Sequence, residues 1–253
     1  MGSLHVHLLP QLIASEQLRG GVAVVIDVLR AGTTIVHALA AGCTSVLPVC
    51  EVAEARVLAG GMRAGKVILG GERNGRPLTG FDMGNSPLGY TCSVCKGAAL
   101  VLTTTNGTRA LLHAGDAERV LVAGFVNFSA VCDQLLRDER PVHLICAGTN
   151  GAITLEDTLL AGAFVEALHD SAAALNDSAR LAWDCFEHHG TIIVEALRMS
   201  QGGAHLLKLG YDKDIDAAAQ IDRFMLVPEL KRQPNRLEVG CVGMVRRHWP
   251  HTC

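Results

Sequence analysis

The sequence predicts an α/β fold, a mostly parallel sheet with helices on both faces in three α/β/α layers. Three observations lead there. Short, almost continuous apolar runs recur along the chain; helical patterns alternate with them; and 49% of the 253 residues are hydrophobic, enough for a large core. A strand that is apolar at every position has both faces covered, and parallel sheets produce such strands. The chain is read as one domain, 1–253, built either as one body or as two similar lobes flanking a cleft.

Val22–Ile26 is the first buried strand, and Thr33–Ala41 the helix after it. Ser45–Val49 is a strand, Val52–Ala59 a helix and Lys66–Leu69 a short strand. Glu72–Ser93 is rich in Gly, Asn, Pro and charge and has no period, the mark of a functional loop when it lies inside a compact domain. Then follow strand Ala98–Leu102, helix Gly107–Ala114, strand Arg119–Val122, helix Phe128–Arg137, strand Val142–Cys146 and helix Leu155–Leu168. Asp170–Asn176 reads as a surface excursion, and Arg180–Glu187 and Ile192–Met199 as helices. Phe224–Val227 and Leu237–Val242 are the expected closing strands. Val24–Leu39, Leu100–Leu112 and Leu144–Leu160 each run strand, Thr- and Gly-containing turn, helix. That echo fits a duplication with halves near 1–115 and 116–253, or the ordinary recurrence of α/β units, which is the preferred reading.

A formal net charge of -3 and only 4% aromatic residues give neither the basic patch nor the stacking platforms that nucleic acid requires. No apolar run reaches membrane-spanning length and no export signal is visible, so a cytoplasmic protein without membrane contact is expected. The nine cysteines are odd in number and scattered through apolar segments, as reduced core thiols are. Cys92 and Cys95 form a single C-x-x-C without the second pair of a zinc ribbon. The eleven histidines show no metal-ligand spacing; His205, in a glycine-rich run, is read as a surface or capping residue. Cys50-x5-Arg56 has a cysteine-phosphatase spacing, but two glutamates occupy what should be a phosphate-wrapping loop. The sequence sets no oligomeric state, and a homodimer is left open.

The chemistry concentrates where strands end. Thr104-Thr105-Asn106-Gly107-Thr108-Arg109 leads from a strand directly into a helix, with N–H groups, hydroxyls and a guanidinium suited to a tetrahedral oxyanion. Asp27-Val-Leu-Arg30-Ala-Gly-Thr33-Thr34 repeats the design with a carboxylate at the strand end, placed to hold a divalent metal or to act as nucleophile or base. Asp82, Asn85 and Ser86 offer oxygens for a hard cation, although the same residues also build ordinary turns. Thr154 with Asp157 reads as a capping box, and of the adjacent Glu156 and Asp157 at most one faces the site.

With these segments in place the chain resembles the 2-phosphosulfolactate phosphatase family of coenzyme M biosynthesis. The resemblance rests on Asp27–Thr34, Gly71–Gly75, Phe81-Asp-Met-Gly-Asn-Ser-Pro87, Thr104–Arg109, and Ala147-Gly-Thr with Leu155-Glu-Asp157. It departs from the family pattern at Gly32 and at Gly202-Gly-Ala-His205. The resemblance implies a Mg²⁺-dependent phosphatase acting on a small 2-phospho-2-hydroxy acid, with Asp27, Glu72 and Asp82 on the metal and Glu156 or Asp157 as general acid/base. Arg30, Arg73 and Arg109 would hold anions, together with Thr33, Thr34, Asn85, Ser86 and the Thr104–Thr108 turn. Whether Asp27 or water is the nucleophile is not decided by the motif. The non-enzymatic alternative is a small-anion binding or sensing protein without turnover.

Overall fold

The computed structural model describes residues 1–63 and 65–240. In chain order the first half contains β1 (Leu4–His7), β2 (Val22–Ile26), α1 (Ala31–Ala40), β3 (Ser45–Pro48), α2 (Val52–Gly61), β4 (Lys66–Arg73) and β5 (Arg76–Pro77). It continues through α3 (Cys92–Cys95), β6 (Ala98–Thr103), α4 (Gly107–His113), β7 (Arg119–Ala123), α5 (Phe128–Leu136) and β8 (Val142–Cys146). The last third is α6 (Leu155–Leu168), α7 (Asp177–His189), α8 (Ile193–Met199), α9 (Gln201–Lys208), α10 (Asp212–Ala218), β9 (Pro228–Lys231) and β10 (Arg236–Val239).

The strands form one sheet in the order β1-β8-β2-β7-β9-β10-β3-β6-β4-β5. Two blocks within it are parallel: β1-β8-β2-β7 and β3-β6-β4. The hairpin β9–β10 joins them, and it meets each block through a single pair, Leu121 with Glu229 and Leu237 with Val46. All three steps across the joint are antiparallel, so the blocks run in opposite senses along the sheet. In a flat sheet their carboxyl ends would lie on opposite edges. Here a Cβ on Gly107, just past β6, would lie 2.5 Å from the Asp27 carboxylate just past β2, so the sheet turns over at its two narrow joints. The strand order also interleaves the chain: β1 and β2 pair with β7 and β8, so the sheet does not divide near residue 115.

Alternating residues of β2 show the layering. Val22, Val24 and Ile26 pack into a core shared with α5, α6 and α7, whereas Ala23 and Val25 face a second core around α1 and α4. The second core also takes Ala98, Leu100 and Leu102 of β6, so α1 and α4 lie between the two blocks. Val101 of β6 points the other way, toward α2. Both blocks are therefore covered on both faces, as the apolar runs require, and the middle helical layer is common to the two. Among the described residues no helix is long and apolar enough to cross a membrane.

Several elements differ from expectation. β4 runs on to Arg73 and turns through Asn74-Gly75, both at positive φ, into β5; Asn-Gly is the favoured pair for such a two-residue hairpin. The glycine-rich run from Gln201 is a helix, because Ser200 caps it by accepting from the Gly203 N–H and because Leu206 is buried. The closing strands are β9 and β10, the first of them four residues later than Phe224–Val227; Cys241 and Val242 lie outside the described residues.

Helices α6 and α7 pack closely enough that a Cβ at Gly162 would lie 1.9 Å from the Ala182 carbonyl oxygen, whereas one at Gly60 of α2 would meet nothing within 4 Å. Gly162→Ala should cost roughly 1–3 kcal/mol in urea denaturation through overpacking. Gly60→Ala should be neutral or stabilising by up to about 1 kcal/mol through helix propensity.

His5, His7 and His143 stack where β1 meets β8, with His7 Nε2 3.1 Å from His143 Nδ1. Burial, followed by the neighbouring histidines, lowers His7 from 6.5 to about 4, and burial with His5 does the same to His143. The unfolded chain thus takes up protons below pH 6.5 that the native chain refuses until about 4, so stability falls as pH falls through that window. A loss of about 1–2 kcal/mol between pH 7.5 and 5, after a discount for partial exposure, is expected in urea titrations and should shrink in the His7→Gln/His143→Gln double variant.

Candidate active site

A cavity of about 470 Å³ opens where the carboxyl ends of both blocks meet. Of the residues singled out in the sequence, Asp27, Arg30, Glu72, Asn85, Thr104, Thr105 and Asn106 line it. Asp27 follows the last residue of β2, and its Oδ1 accepts the Ala31 N–H at 3.1 Å in the first turn of α1. Its Oδ2 abuts Gly107, where any side chain would collide with it. Glu72, at the end of β4, is a brace. Oε2 accepts the Gly75 N–H at 2.7 Å; Oε1 accepts the Thr105 N–H at 2.8 Å and the Thr105 hydroxyl at 2.9 Å, tying the β4–β5 turn to the β6–α4 loop.

Glu156 and Asp157 diverge. Asp157 Oδ1 accepts the Val28 N–H at 2.9 Å and Oδ2 the Gly148 N–H at 3.0 Å, so it holds the loops after β2 and β8 together. It is not part of a capping box, since Thr154 makes no side-chain bond to the helix it precedes. Glu156 turns the other way: its Oε1 presses against Gly202 of the cavity wall, and its buried Oε2 has no hydrogen-bond partner.

Burial raises Asp27, Glu156 and Asp157. Burial pushes Asp27 up to about 7, with Glu72 and Glu156 adding to it and the Ala31 N–H and Arg30 opposing. Burial lifts Glu156, and burial followed by Glu156 and Asp27 lifts Asp157 well above the usual carboxylate range. Arg30 is the one guanidinium in the lining, and its charge is already committed. Nη1 donates to Asp214 Oδ2 at 2.7 Å, Nη2 donates to the Gly75 carbonyl at 2.8 Å, and the group lies over the Tyr211 ring at 4.5 Å.

The other expected residues take different places. Asp82 is exposed and its Oδ2 accepts the Leu69 N–H at 2.8 Å, so it serves the turn beside β4 and does not reach the cavity. Arg73 donates to the carbonyls of Glu72 and Cys50 and to Thr103 Oγ1, bracing strand ends. Arg109 projects outward from α4, 65% exposed and 3.9 Å from Glu51. Thr33 donates to the Val28 carbonyl and Thr34 to the Asn85 carbonyl, while Thr108 donates to Thr104; all three are buried supports of the loops. Ser86 donates to Asp214 Oδ1 at 2.6 Å.

Gln201, Gly202, His205 and Lys208 of α9, with Asn74 and Asn150, complete the wall. Asn74 and Asn150 each precede a glycine, and each pair lies at positive φ, a signal that was present in the sequence. Nothing in the sequence marks Lys208, or Asp214 as the counter-charge of an arginine 184 residues earlier. Cys95 is buried and Cys92 exposed, and among the described residues no three His, Cys, Asp or Glu side chains converge into a ready metal cage.

The family model described as 2-phosphosulpholactate phosphatase matches residues 7–233. The chain belongs to this family. A relative from Symbiobacterium thermophilum, named probable 2-phosphosulfolactate phosphatase, is 40% identical over 216 residues, covering 85% of this chain and 93% of its own. One of the same name from Thermotoga petrophila is 42% identical over 214 residues, covering 82% and 88%, and one from Prochlorococcus marinus is 38% identical over 215, covering 81% and 87%.

The Arg30–Asp214 pair is 3% exposed on both sides. Removing one partner of such a pair strands a buried charge, so Asp214→Ala should cost roughly 3–5 kcal/mol in denaturant unfolding. The double variant Arg30→Met/Asp214→Leu should recover a large part of that loss, which a double-mutant cycle measures directly.

Proposed function

We propose that this family member is a Mg²⁺-dependent phosphatase that hydrolyses the phosphate monoester of a 2-phospho-2-hydroxy acid, foremost 2-phosphosulfolactate to sulfolactate and phosphate. One observation carries the reading. Asp27 and Glu72 lie at the base of a cavity sized for a small ligand, with Glu156 buried behind Gly202, and the one arginine in the lining is paired to Asp214. Carboxylates at that base repel an anionic substrate unless a cation lies between them.

The residues present fit that cation. Asp27 Oδ2 and the buried, unpartnered Asn85 Oδ1 are hard oxygen donors in the lining. Mg²⁺ takes one or two carboxylates and keeps its remaining positions for water and substrate phosphate, which one carboxylate and one amide oxygen suffice to anchor. Bound there, Mg²⁺ would neutralise phosphoryl oxygens and stabilise the charge that develops during transfer. Glu72 contributes as a brace and Asp82 not at all.

The chain's own residues account for the rest. Glu72 fixes the Thr105 amide and hydroxyl, and Asp157 fixes the backbone around Asp27. Hydrolysis forms a phosphorus–oxygen bond to water and breaks the one to the substrate carbon's oxygen, and the departing alkoxide needs a proton. Glu156, lifted by burial, is the group suited to hold that proton.

Phosphate release from racemic 2-phosphosulfolactate and from 2-phospholactate, with Mg²⁺ and with EDTA, tests this. EDTA should abolish release and Mg²⁺ restore it. Asp27→Asn should lower kcat/KM by roughly 10²-fold or more, whereas Asp82→Asn, at an exposed turn, should stay within about threefold. Turnover of phospholactate alone would keep the chemistry and move the substrate. No release from either, with anion binding intact, would favour the sensing alternative.

A further inference from the structure

The substrate class proposed above carries a phosphate and two more anionic groups, and the three arginines that would hold them are engaged elsewhere. Arg73 and Arg109 are not in the lining, and Arg30 is neutralised by Asp214. His205 is also committed, with its Nε2 3.1 Å from the Asn74 carbonyl oxygen. The remaining cation of the lining is Lys208, whose ammonium makes no salt bridge or hydrogen bond among the described residues.

Its position suits one role. Helix α9 is wedged in place: a Cβ on Gly202 would fall 2.4 Å from Glu156 Oε1, and one on Gly75 would fall 2.7 Å from Leu209 Cδ1 and 3.1 Å from the His205 ring. At 1.5 Å per residue Lys208 lies about 9 Å along the helix from Gly202, which backs onto Glu156. Helical side chains lean toward the N-terminus, so the lysine stem reaches back over the cavity mouth toward its base. The cavity is acidic at its base and carries an unspent positive charge at its rim.

We propose that Lys208 is the specificity-determining contact for the sulfonate of the substrate, an inference that rests on the phosphatase reading. With the phosphoryl group against the acidic base, the sulfonate is the anion that extends further; its sulfur is one bond more distant from phosphorus than the carboxylate carbon. Lys208 selects substrates with that second, outlying anion over phosphomonoesters that lack it.

The test compares 2-phosphosulfolactate with 2-phospholactate on the full-length wild type, Lys208→Met and Lys208→Arg, after thermal melts confirm that all three are folded. In Lys208→Met the ratio of kcat/KM for the sulfonate substrate to that for phospholactate should fall about tenfold, through KM, and the salt dependence of KM should flatten. Lys208→Arg should restore most of the ratio. An equal loss on both substrates, or no loss on either, overturns the proposal. Absence of turnover by the wild type would instead overturn the phosphatase reading, and calorimetric binding of sulfolactate then decides the role of Lys208. About tenfold weaker binding by Lys208→Met supports it; equal binding, or none by the wild type, overturns it.

Discussion

The structure depends on keeping four carboxylates together out of water. Asp27, Glu72, Glu156 and Asp157 are each under a tenth exposed, a placement that unpaired charge does not tolerate. Three of them persist by taking backbone amides. Asp27 binds the start of α1, Glu72 the β4–β5 and β6–α4 turns, and Asp157 the loops after β2 and β8. The carboxylates therefore organise the loops as much as the loops organise the carboxylates. Glu156 is the exception, with one buried oxygen unpartnered, and that marks it as the group of the four held for something other than architecture.

This concentration of charge is possible because of how the sheet is joined. The blocks run in opposite senses, and their carboxyl ends meet because the β9–β10 hairpin grips each block through one residue pair. A broad ladder there would hold the sheet open and leave Asp27 and the Thr104–Gly107 turn on different edges. The common core around α1 and α4 supplies what the narrow joint lacks. Val25 and Val122 of one block and Leu100 and Leu102 of the other pack into one apolar cluster. Hydrophobic burial across the middle layer, more than hydrogen bonding along the sheet, fixes the cavity's two walls relative to each other.

Much of this was legible in the sequence because it is local. Apolar runs with β-branched residues gave β2, β6, β7 and β8 to within a residue or so, and the small polar turns after β2 and β6 gave two walls of the cavity. The Asn74-Gly75 hairpin was present as a dipeptide signal but was submerged in a charged stretch. What composition and spacing cannot carry is direction. Asp82 and Asp27 are the same residue type in equally suggestive motifs, yet one serves an exposed turn and the other lies beneath the cavity. Likewise the glycine-rich run that forms α9 gave no helical signal, because glycines weaken helix propensity. Two of those glycines are there for packing: Gly202 meets Glu156, and a Cβ at Gly203 would lie 1.8 Å from the Leu197 carbonyl oxygen.

The fate of the arginines follows from the same charge balance. A guanidinium in a strand-end motif suggests an anion holder, but a fold that buries four carboxylates and many loop carbonyls draws on those forks first. Arg30 is locked between Asp214, the Gly75 carbonyl and the Tyr211 ring, and Arg73 between two carbonyls and a threonine hydroxyl. These contacts spread the fixed planar fork of donors over several partners, a task for which arginine outperforms lysine. Transient recognition of a small, mobile anion at the rim asks for less: one flexible, hydrated charge that swings to meet it and lets the product go. Arginine is thereby spent on architecture, and the task of reading the substrate falls to the lysine on α9, the element whose sequence advertised it least.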